Sequence, residues 1–259
     1  PLQSCPKADR RSWSHNSDAA CRALRNFNGN DRRLYDFLFL KSGKRSTITG
    51  TCKLCFLAGG MMKVSWLQDQ LPRLAEHLES CADELNGLDA QLGDGDLGVT
   101  MVRGSRQLLE IREELPDDWG MALLKCAQAF TKTSGSSYGT ILATGLMAMA
   151  KQKKGQSELD STEWAGLLNL ALEAMHRRGK AELGQKTVLD PLSATHKKLE
   201  NAPETSLSDL IELVQQTIDD FRDKPCQIGR ARIFQDKSIG LDDPGMVAFK
   251  RLLEGLDSN

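Results

Sequence analysis

Residues 92–98 read Leu-Gly-Asp-Gly-Asp-Leu-Gly and lie directly between two stretches with helical periodicity. Asp89 precedes this run, so three carboxylates fall within eight residues, spaced D-x4-D-x-D. Anions this close repel one another or take raised pKa values at neutral pH, and a divalent cation removes the conflict. The alternative interpretation is an ordinary polar turn that caps the following helix.

Oxygen-only ligands favour Mg²⁺ or Ca²⁺ over the softer metals. The loop pattern typical of Ca²⁺ sites, with its terminal bidentate Glu, is missing here. Mg²⁺ commonly combines a few carboxylates with phosphate oxygens. If the acidic run binds a metal, it therefore indicates a ligand that carries phosphate.

Helical periodicity extends along the chain on both sides of this run. Leu, Ala, Glu, Gln and Met are frequent and aromatic residues make up only 5%, a composition that favours helices over sheets. Turn signals divide the chain after Met62 into eight helical stretches: 63–87, 98–114, 117–133, 138–153, 161–178, 188–201, 205–223 and 244–256. We predict an all-α protein, with short connections that favour antiparallel neighbours in a bundle or closed array.

Two of these stretches carry the sequence signature of a helix start. In stretch 205–223, Ser206 and Asp209 form a possible capping box, and in stretch 161–178 Asp160 and Glu163 do the same. Stretch 205–223 also shows the clearest apolar spacing, at Leu207, Leu210, Ile211, Val214 and Ile218.

Residues 1–60 differ from the rest of the chain. They contain no Glu and no Met, and they carry eleven Lys or Arg against four Asp, whereas the remainder carries 23 against 31. We predict a boundary at Met61, with residues 1–60 a basic N-terminal extension, disordered or a non-native leader, and residues 61–259 the folded domain. The acidic domain argues against nucleic acid or an anionic membrane as a partner.

The location of the protein is predicted from what the sequence lacks. No apolar run reaches the ~18 residues of a membrane span, and no basic segment followed by an apolar one marks a secretory signal. Seven scattered cysteines show no disulfide framework. We expect a cytoplasmic protein with reduced thiols.

Three further glycine-containing segments lie between helical stretches: 133–140, 179–187 and 238–245. Free N–H groups at a helix start bind phosphate oxygens, and Thr133-Ser134-Gly135 precedes a helix, as Gly98 opens one after the acidic run. A Walker loop is absent from the sequence. These segments could lie at one end of a helical array.

Taken together and in order, these motifs resemble the nucleotide-binding L subunit of dihydroxyacetone kinases. The motifs are Leu88-Asp89, Gly93-Asp-Gly-Asp96, Ser134-Gly135 with Tyr138-Gly139-Thr140, Arg178-Gly-Lys-Ala-Glu182 with Lys186-Thr187, and Ser238-Ile-Gly240 with Asp243-Pro-Gly245. The resemblance spans about residues 62–257. Each motif alone is weak, but the ordered set is specific.

The resemblance implies a closed barrel of eight antiparallel helices, with ADP or ATP and two Mg²⁺ ions held by loops at one end. It makes Asp89, Asp94 and Asp96 the metal ligands and catalytic residues. The residues that it places along the phosphates are Leu97, Gly98, Val99, Thr100, Thr133 and Ser134. Those placed around the rest of the nucleotide are Gly179, Val188, Lys237, Asp243, Pro244 and Gly245.

The chain departs from the family pattern at four positions. Leu97 stands where the family often has His, Thr100 where it has Asn, Gln185 where it has an acid, and Lys237 where it has Arg. Lys cannot reproduce the bidentate fork of Arg. We therefore expect weaker retention of the nucleotide than in relatives.

The resemblance leaves three functions open. The first is a kinase subunit that transfers a phosphoryl group from Mg-ATP to dihydroxyacetone or a related ketose held by a separate substrate-binding K-type subunit. The second keeps ADP as a fixed cofactor that a phosphocarrier protein of a phosphotransferase system rephosphorylates. The third is a nucleotide-responsive module that regulates a partner without turnover.

Overall fold

The computed structural model describes residues 60–133 and 136–257, and this part of the chain is mostly helical. Its α-helices are α1 (Val64–Ser80), α2 (Ala82–Leu92), α3 (Leu97–Glu110), α4 (Trp119–Thr133), α5 (Ser137–Gln152), α6 (Trp164–Gly179), α7 (Leu189–Asn201), α8 (Leu207–Arg222) and α9 (Pro244–Leu256). Segments of 3₁₀-helix cover Arg112–Glu114, Ser161–Glu163 and Arg230–Ser238. The expectation for the N-terminal extension concerns residues that, apart from Gly60, lie outside the described part.

The predicted helical stretch 63–87 is wrong in one respect, because the structure divides it. Cys81, with φ −95° and ψ 0°, separates α1 from α2, and α2 continues to Leu92. Hydrogen bonds from Cys81 N to His77 O and from Leu85 N to Cys81 O, both 3.1 Å, bridge the break. The apolar spacing of the sequence is therefore the same on both sides of the break and does not predict it. The other seven stretches each coincide with one helix, with ends that differ by up to four residues.

The all-α prediction also missed two short strands, β1 (Met61–Lys63) and β2 (Glu158–Asp160). They pair antiparallel, with Met62 opposite Leu159. Trp119 donates its indole N–H to Met62 O at 2.8 Å and packs edge-on against Trp164, with ring centroids 6.3 Å apart. A strand of three residues is too short to show the alternating apolar pattern that predicts strands in a sequence. Its pairing is defined instead by contacts between residues that are distant in sequence.

The order of helix packing follows the chain. Helices α3 to α9 each pack on the next one, and α1 packs against both α3 and α9, while α2 packs on α3 and α9. Within the described residues no helix has the length and apolar character needed to cross a bilayer.

The apolar faces of these helices form the core, as the periodicity of α8 illustrates. Leu210, Val214 and Ile218 are at most 2% exposed. The predicted capping box is present, since Asp209 N donates to Ser206 Oγ at 3.1 Å and Ser206 N donates to Asp209 Oδ2 at 3.3 Å. The box of Asp160 and Glu163 is present too, and it opens the 3₁₀ turn before α6. Both helix-start predictions are confirmed.

Consecutive helices pack on one another through short connections, which favours helix starts at two ends of the array. We call the first the strand end, because it holds β1 and β2 and the starts of α4 and α6. We call the other the cavity end, because the starts of α3, α5, α7 and α9 surround a cavity there.

Candidate functional site

Three aspartates lie together at the cavity end, as their spacing predicts. Asp89, Asp94 and Asp96, which we call the acidic cluster, each place one carboxylate oxygen within 4.8 Å of the others. The structure corrects one detail, because Asp89 lies in the last turn of α2 rather than in a loop. Asp94 lies in the connection to α3, and Asp96 is the residue before α3.

Backbone geometry holds the acidic cluster in place. Asp96 N donates to Asp89 Oδ2 at 2.9 Å, which ties the start of α3 to the end of α2. Gly95 has φ +76°, a conformation that residues with a Cβ rarely adopt. The glycine between Asp94 and Asp96 therefore permits the turn that brings the two carboxylates towards Asp89.

The first turn of α3 packs closely on α2. A Cβ at Gly98 would lie 2.0 Å from Ala82 O, so only glycine fits there. Val99 N donates to Asn86 Oδ1 at 3.2 Å, and Thr100 is 3% exposed. Of the four residues from Leu97 to Thr100 that the sequence places along the phosphates, Leu97 lines the cavity and the other three do not.

The cavity has a volume of about 520 Å³ and is open to solvent. It brings together most of the residues singled out in the sequence, which come from distant parts of the chain: Asp89, Asp94, Asp96, Leu97, Gly179, Val188, Asp243, Pro244 and Gly245. Ser134 and the side chain of Thr133 lie outside the described part of the structure.

Lys237 is exposed and is not among the residues that line the cavity. Arg230, seven positions earlier, lines it instead, and its guanidinium Nη1 forms an ion pair with Asp94 Oδ2. Arg178, at the end of α6, is a second lining cation. Sequence reasoning missed Arg230, because it lies outside the motifs and only the fold brings residue 230 to residue 94.

The start of α9 also lines the cavity. Asp243 caps this helix by accepting a hydrogen bond from Met246 N at 2.9 Å, and Pro244 follows in the first turn. Burial raises the pKa of Asp243 to about 7. Burial also raises the pKa of Tyr138, and its hydroxyl has no hydrogen-bond partner among the described residues.

A buried lysine supports the rim of the cavity. Lys186 is 1% exposed, and its ammonium donates to Arg222 O, Lys224 O and Ser238 O at 3.1, 2.8 and 3.0 Å. Its φ of +61° belongs to a loop that Asp190 also holds, by accepting from Gly184 N at 2.6 Å and Thr187 N at 2.8 Å. Sequence reasoning did not find this role, since lysines are seldom fully buried.

The donor set and the space fit a divalent cation with a phosphorylated ligand. Three carboxylates within 4.8 Å of one another offer the hard oxygens that Mg²⁺ takes. The starts of α3, α5, α7 and α9 all line the same cavity, where their partial positive charge attracts anions. The volume is within the range of small-molecule sites.

Comparison with known proteins identifies the class. The family model described as the DAK2 domain matches residues 91–258, so this chain belongs to the DAK2 domain family. Its fold resembles the dihydroxyacetone kinase of C. freundii, whose crystal structure in complex with AMP-PNP and Mg²⁺ gives a TM-score of 0.60 at 21% identity, over 83% of this chain and 36% of that one.

Individual relatives carry kinase names. Human triokinase/FMN cyclase is 29% identical over 195 residues, which are 72% of this chain and 33% of that protein. The ADP-binding subunit DhaL of the PTS-dependent dihydroxyacetone kinase of Lactococcus lactis is 27% identical over 199 residues, 76% of this chain and 97% of that subunit. The chain thus spans about a third of the triokinase length and nearly all of the DhaL length.

Proposed function

We propose that this chain is the Mg²⁺- and ADP/ATP-binding part of a kinase that phosphorylates dihydroxyacetone or a related ketose. The observation that carries the proposal is the convergence of the acidic cluster and four helix starts on one cavity. Carboxylates favour a cation and helix starts favour phosphate, so the two features together match a metal-nucleotide complex better than either ligand alone. The kinase names of the relatives support the same function.

The residues of the chain have distinct roles in this proposal. Asp89, Asp94 and Asp96 would hold two Mg²⁺ ions, and the start of α5 together with Leu97 would face the phosphates. Gly179, Val188 and the turn Asp243–Gly245 would enclose the adenosine. The bound metal would neutralise charge on the transferred phosphoryl group, while the chain contributes mainly positioning.

The resemblance supplies three further parts of the proposal. The packing order of the helices, in which α1 meets both α3 and α9, supports a barrel of eight helices closed on itself, with α2 outside the ring. The ketose would be held by a K-type subunit or domain, because the cavity is already assigned to the nucleotide. The proposed location is the cytoplasm, because a kinase that uses Mg-ATP needs access to it.

A second candidate is that ADP stays bound and is rephosphorylated by a phosphocarrier. The relatives with PEP- or PTS-dependent names favour it, because the chain covers 86% and 97% of those two subunits. Extensive dialysis of the purified protein, followed by nucleotide analysis, separates the candidates. Retained stoichiometric ADP favours the phosphocarrier, whereas free exchange and ATP-dependent turnover with a ketose-loaded K-type subunit favours the ATP-dependent kinase.

Thermal unfolding tests the joint binding of Mg²⁺ and nucleotide, which both candidates require. Ligands that bind only the folded state raise the unfolding temperature. We expect Mg²⁺ with ADP to raise it by more than the sum of the shifts from Mg²⁺ alone and ADP alone. The same synergy in a chain that begins at Met61 would support the proposed domain boundary. Full stabilisation by Ca²⁺ or Zn²⁺ without nucleotide would contradict the proposal.

A further inference from the structure

A cysteine, a histidine and a glutamate meet where α1 and α2 join. Cys81 Sγ lies 3.6 Å from His77 Nε2, and the same ring nitrogen lies 3.3 Å from Glu254 Oε2. His77 is in the last turn of α1, whereas Glu254 comes from α9. None of the three residues lines the cavity. This group, which we call the thiol cluster, is therefore separate from the candidate site.

Close packing of α9 on α1 sets the geometry of the thiol cluster. A Cβ at Gly255 would lie 3.2 Å from Leu74 Cα and 3.5 Å from His77 Cβ. The glycine thus lets α9 approach α1 and brings Glu254 to the imidazole. Cys81 lies on the same side, because residues four positions apart in a helix are neighbours on its surface.

Charged side chains of α9 and α2 surround the imidazole. Lys250 Nζ lies 3.4 Å from Glu254 Oε1, and Arg251 Nη1 donates to Glu254 Oε2 at 2.6 Å. Arg251 also donates to both carboxylate oxygens of Glu84. Burial acts to raise the pKa of Glu254, but the hydrogen bond and charge of Arg251 outweigh it and hold this pKa below its ordinary value. A carboxylate beside His77 favours the protonated imidazole.

This arrangement can generate a thiolate. Only the thiolate form of a cysteine is a nucleophile, and a neighbouring base that a third group holds in place is the usual means of forming it. With the ring hydrogen on Nδ1, His77 Nε2 is able to accept the proton of Cys81. The resulting N–H⁺ then faces Glu254, which stabilises it.

The other cysteines of residues 60–133 and 136–257 are in different surroundings. Cys126 and Cys226 are 5% and 3% exposed, whereas Cys81 is partly accessible. Burial raises the pKa of Cys126 to about 12 and also raises that of Cys226. Within the same residues, Cys81 alone has a histidine ring within hydrogen-bonding distance.

We infer that Cys81 is a thiol–disulfide exchange site, at which a small disulfide such as glutathione disulfide forms a mixed disulfide with the chain. The thiol proton moves to His77 Nε2, and the thiolate attacks one sulfur of the disulfide. An S–S bond to Cys81 forms and the original S–S bond breaks. The other half leaves as a thiolate and takes up the proton. Cys81 is oxidised and the leaving half is reduced, so no further oxidant is needed. The inference goes beyond the proposed function and does not depend on it.

Reaction rates of the individual cysteines test this inference. The reduced full chain is treated with glutathione disulfide at pH 7 and pH 9.5, and peptide mass spectrometry follows each thiol. A thiol of ordinary acidity is about 3% thiolate at pH 7 and about 90% at pH 9.5, so its rate rises about thirtyfold. The rate of Cys81 should rise by less than about fivefold, because His77 accepts its proton at neutral pH. Cys126 and Cys226 should react only after unfolding in urea.

Two variants separate proton transfer from simple accessibility. His77→Gln removes the base, so the rate of Cys81 should fall about tenfold at pH 7 and stay within about twofold of the wild type at pH 9.5. Ser80→Ala is the matched control, because the Ser80 hydroxyl is the other polar group near the thiol, 3.8 Å from Sγ. It should change the rate by less than about twofold at both pH values.

The inference is overturned if Cys81 of the wild type shows the thirtyfold rise of an ordinary thiol. It is also overturned if His77→Gln, with the helical circular dichroism and unfolding temperature of the wild type, reacts as fast as the wild type at pH 7. Equal slowing at both pH values would overturn it too, since that result indicates reduced access. If His77→Gln does not fold, the pH dependence of the wild type decides alone. Failure of the proposed function would leave all these rates unchanged.

Discussion

The two ends of the helical array each bury a lysine, and the ammonium groups have different partners. At the strand end, Lys153 is 2% exposed and forms an ion pair with Glu163, which also accepts a hydrogen bond from Asp160 N at 2.9 Å. At the cavity end, Lys186 is 1% exposed and donates to three backbone carbonyls.

This difference separates a structural end from a binding end. A carboxylate that forms an ion pair with a buried lysine is not available to bind a ligand. At the strand end, Glu163 forms such an ion pair with Lys153. At the cavity end three backbone carbonyls accept from the ammonium, and the three aspartates of the acidic cluster line the cavity. Close packing is found at both ends, at Gly120 of the strand end and at Gly98 of the cavity end, and the cavity end holds in addition an open cavity of about 520 Å³.

The largest expected effect comes from removing charge at the cavity end. Asp94→Asn keeps the shape of the side chain and removes one anionic ligand, so the affinity for Mg²⁺ with ADP should drop and phosphoryl transfer should fall by orders of magnitude. The fold should be retained, because Asp94 is about half exposed. Transfer is measured with a K-type subunit loaded with dihydroxyacetone.

The matched control is Asp83→Asn, an exposed position in the first turn of α2 outside the acidic cluster. This change should lower the unfolding free energy by no more than about 0.5 kcal/mol, because it weakens the interaction with the helix dipole. Unchanged activity of Asp94→Asn with every plausible partner would contradict the metal site.

The two buried lysines provide the next test. Lys186→Met leaves three carbonyls without their donor, and we expect a loss of about 3 kcal/mol in unfolding free energy together with weaker nucleotide binding. Lys153→Met leaves Glu163, which is 41% exposed and can be hydrated, so a smaller loss of about 1–2 kcal/mol is expected. Urea unfolding and ADP titration measure both quantities.

The nucleotide affinities of the two lysine variants, rather than their unfolding free energies, show whether the two ends differ in function. Lys153→Met should bind Mg²⁺ and ADP as the wild type does, once corrected for the folded fraction. Equal loss of nucleotide affinity in both lysine variants would mean that the two ends are not functionally distinct.

The last prediction concerns the pH dependence of stability and Asp243, whose pKa burial raises from 3.8 to about 7. Between these pH values the unfolded chain has released a proton that the folded chain retains, so the stability of the wild type should fall as the pH rises from about 4 to about 7. Asp243→Asn keeps the helix cap and removes this dependence. The stability of the variant relative to the wild type should therefore rise by about 3 kcal/mol across this range.

Thermal unfolding of both proteins at pH 4.5, 6 and 7.5 measures this difference. A difference that stays constant across the three pH values would show that Asp243 titrates as an ordinary carboxyl. The comparison uses ligand-free protein, so that bound nucleotide does not alter the result.

Most helices could be predicted because their information is local. In α8, apolar residues recur at helical spacing and Ser206 with Asp209 marks the start, and both features appear in the structure. The break at Cys81 was missed, since hydrogen bonds continue across it and the apolar period does not change. The strands β1 and β2 were missed, because each has three residues and is defined by a partner nearly 100 positions away.

The acidic cluster was predictable for a similar reason. Its three aspartates lie within eight residues, so short-range geometry alone keeps them close. The resemblance to the dihydroxyacetone kinase L subunit then indicated which distant loops would join them, and most of those residues line the cavity. The predicted roles of Gly98 and Thr100 are less well supported, because both pack within the first turns of α3, away from the lining.

The sequence by itself determined the helices, the acidic cluster and the family, because each is specified by residue types at short spacing or in a fixed order. Only the tertiary structure brought Arg230 to Asp94 and placed Lys186 beneath the rim of the cavity. Charged side chains are usually solvated, so their identity does not predict which few are buried or paired. Such contacts form between residues that are 136 positions apart in the first case and up to 52 in the second, and their geometry exists only after the helices have packed.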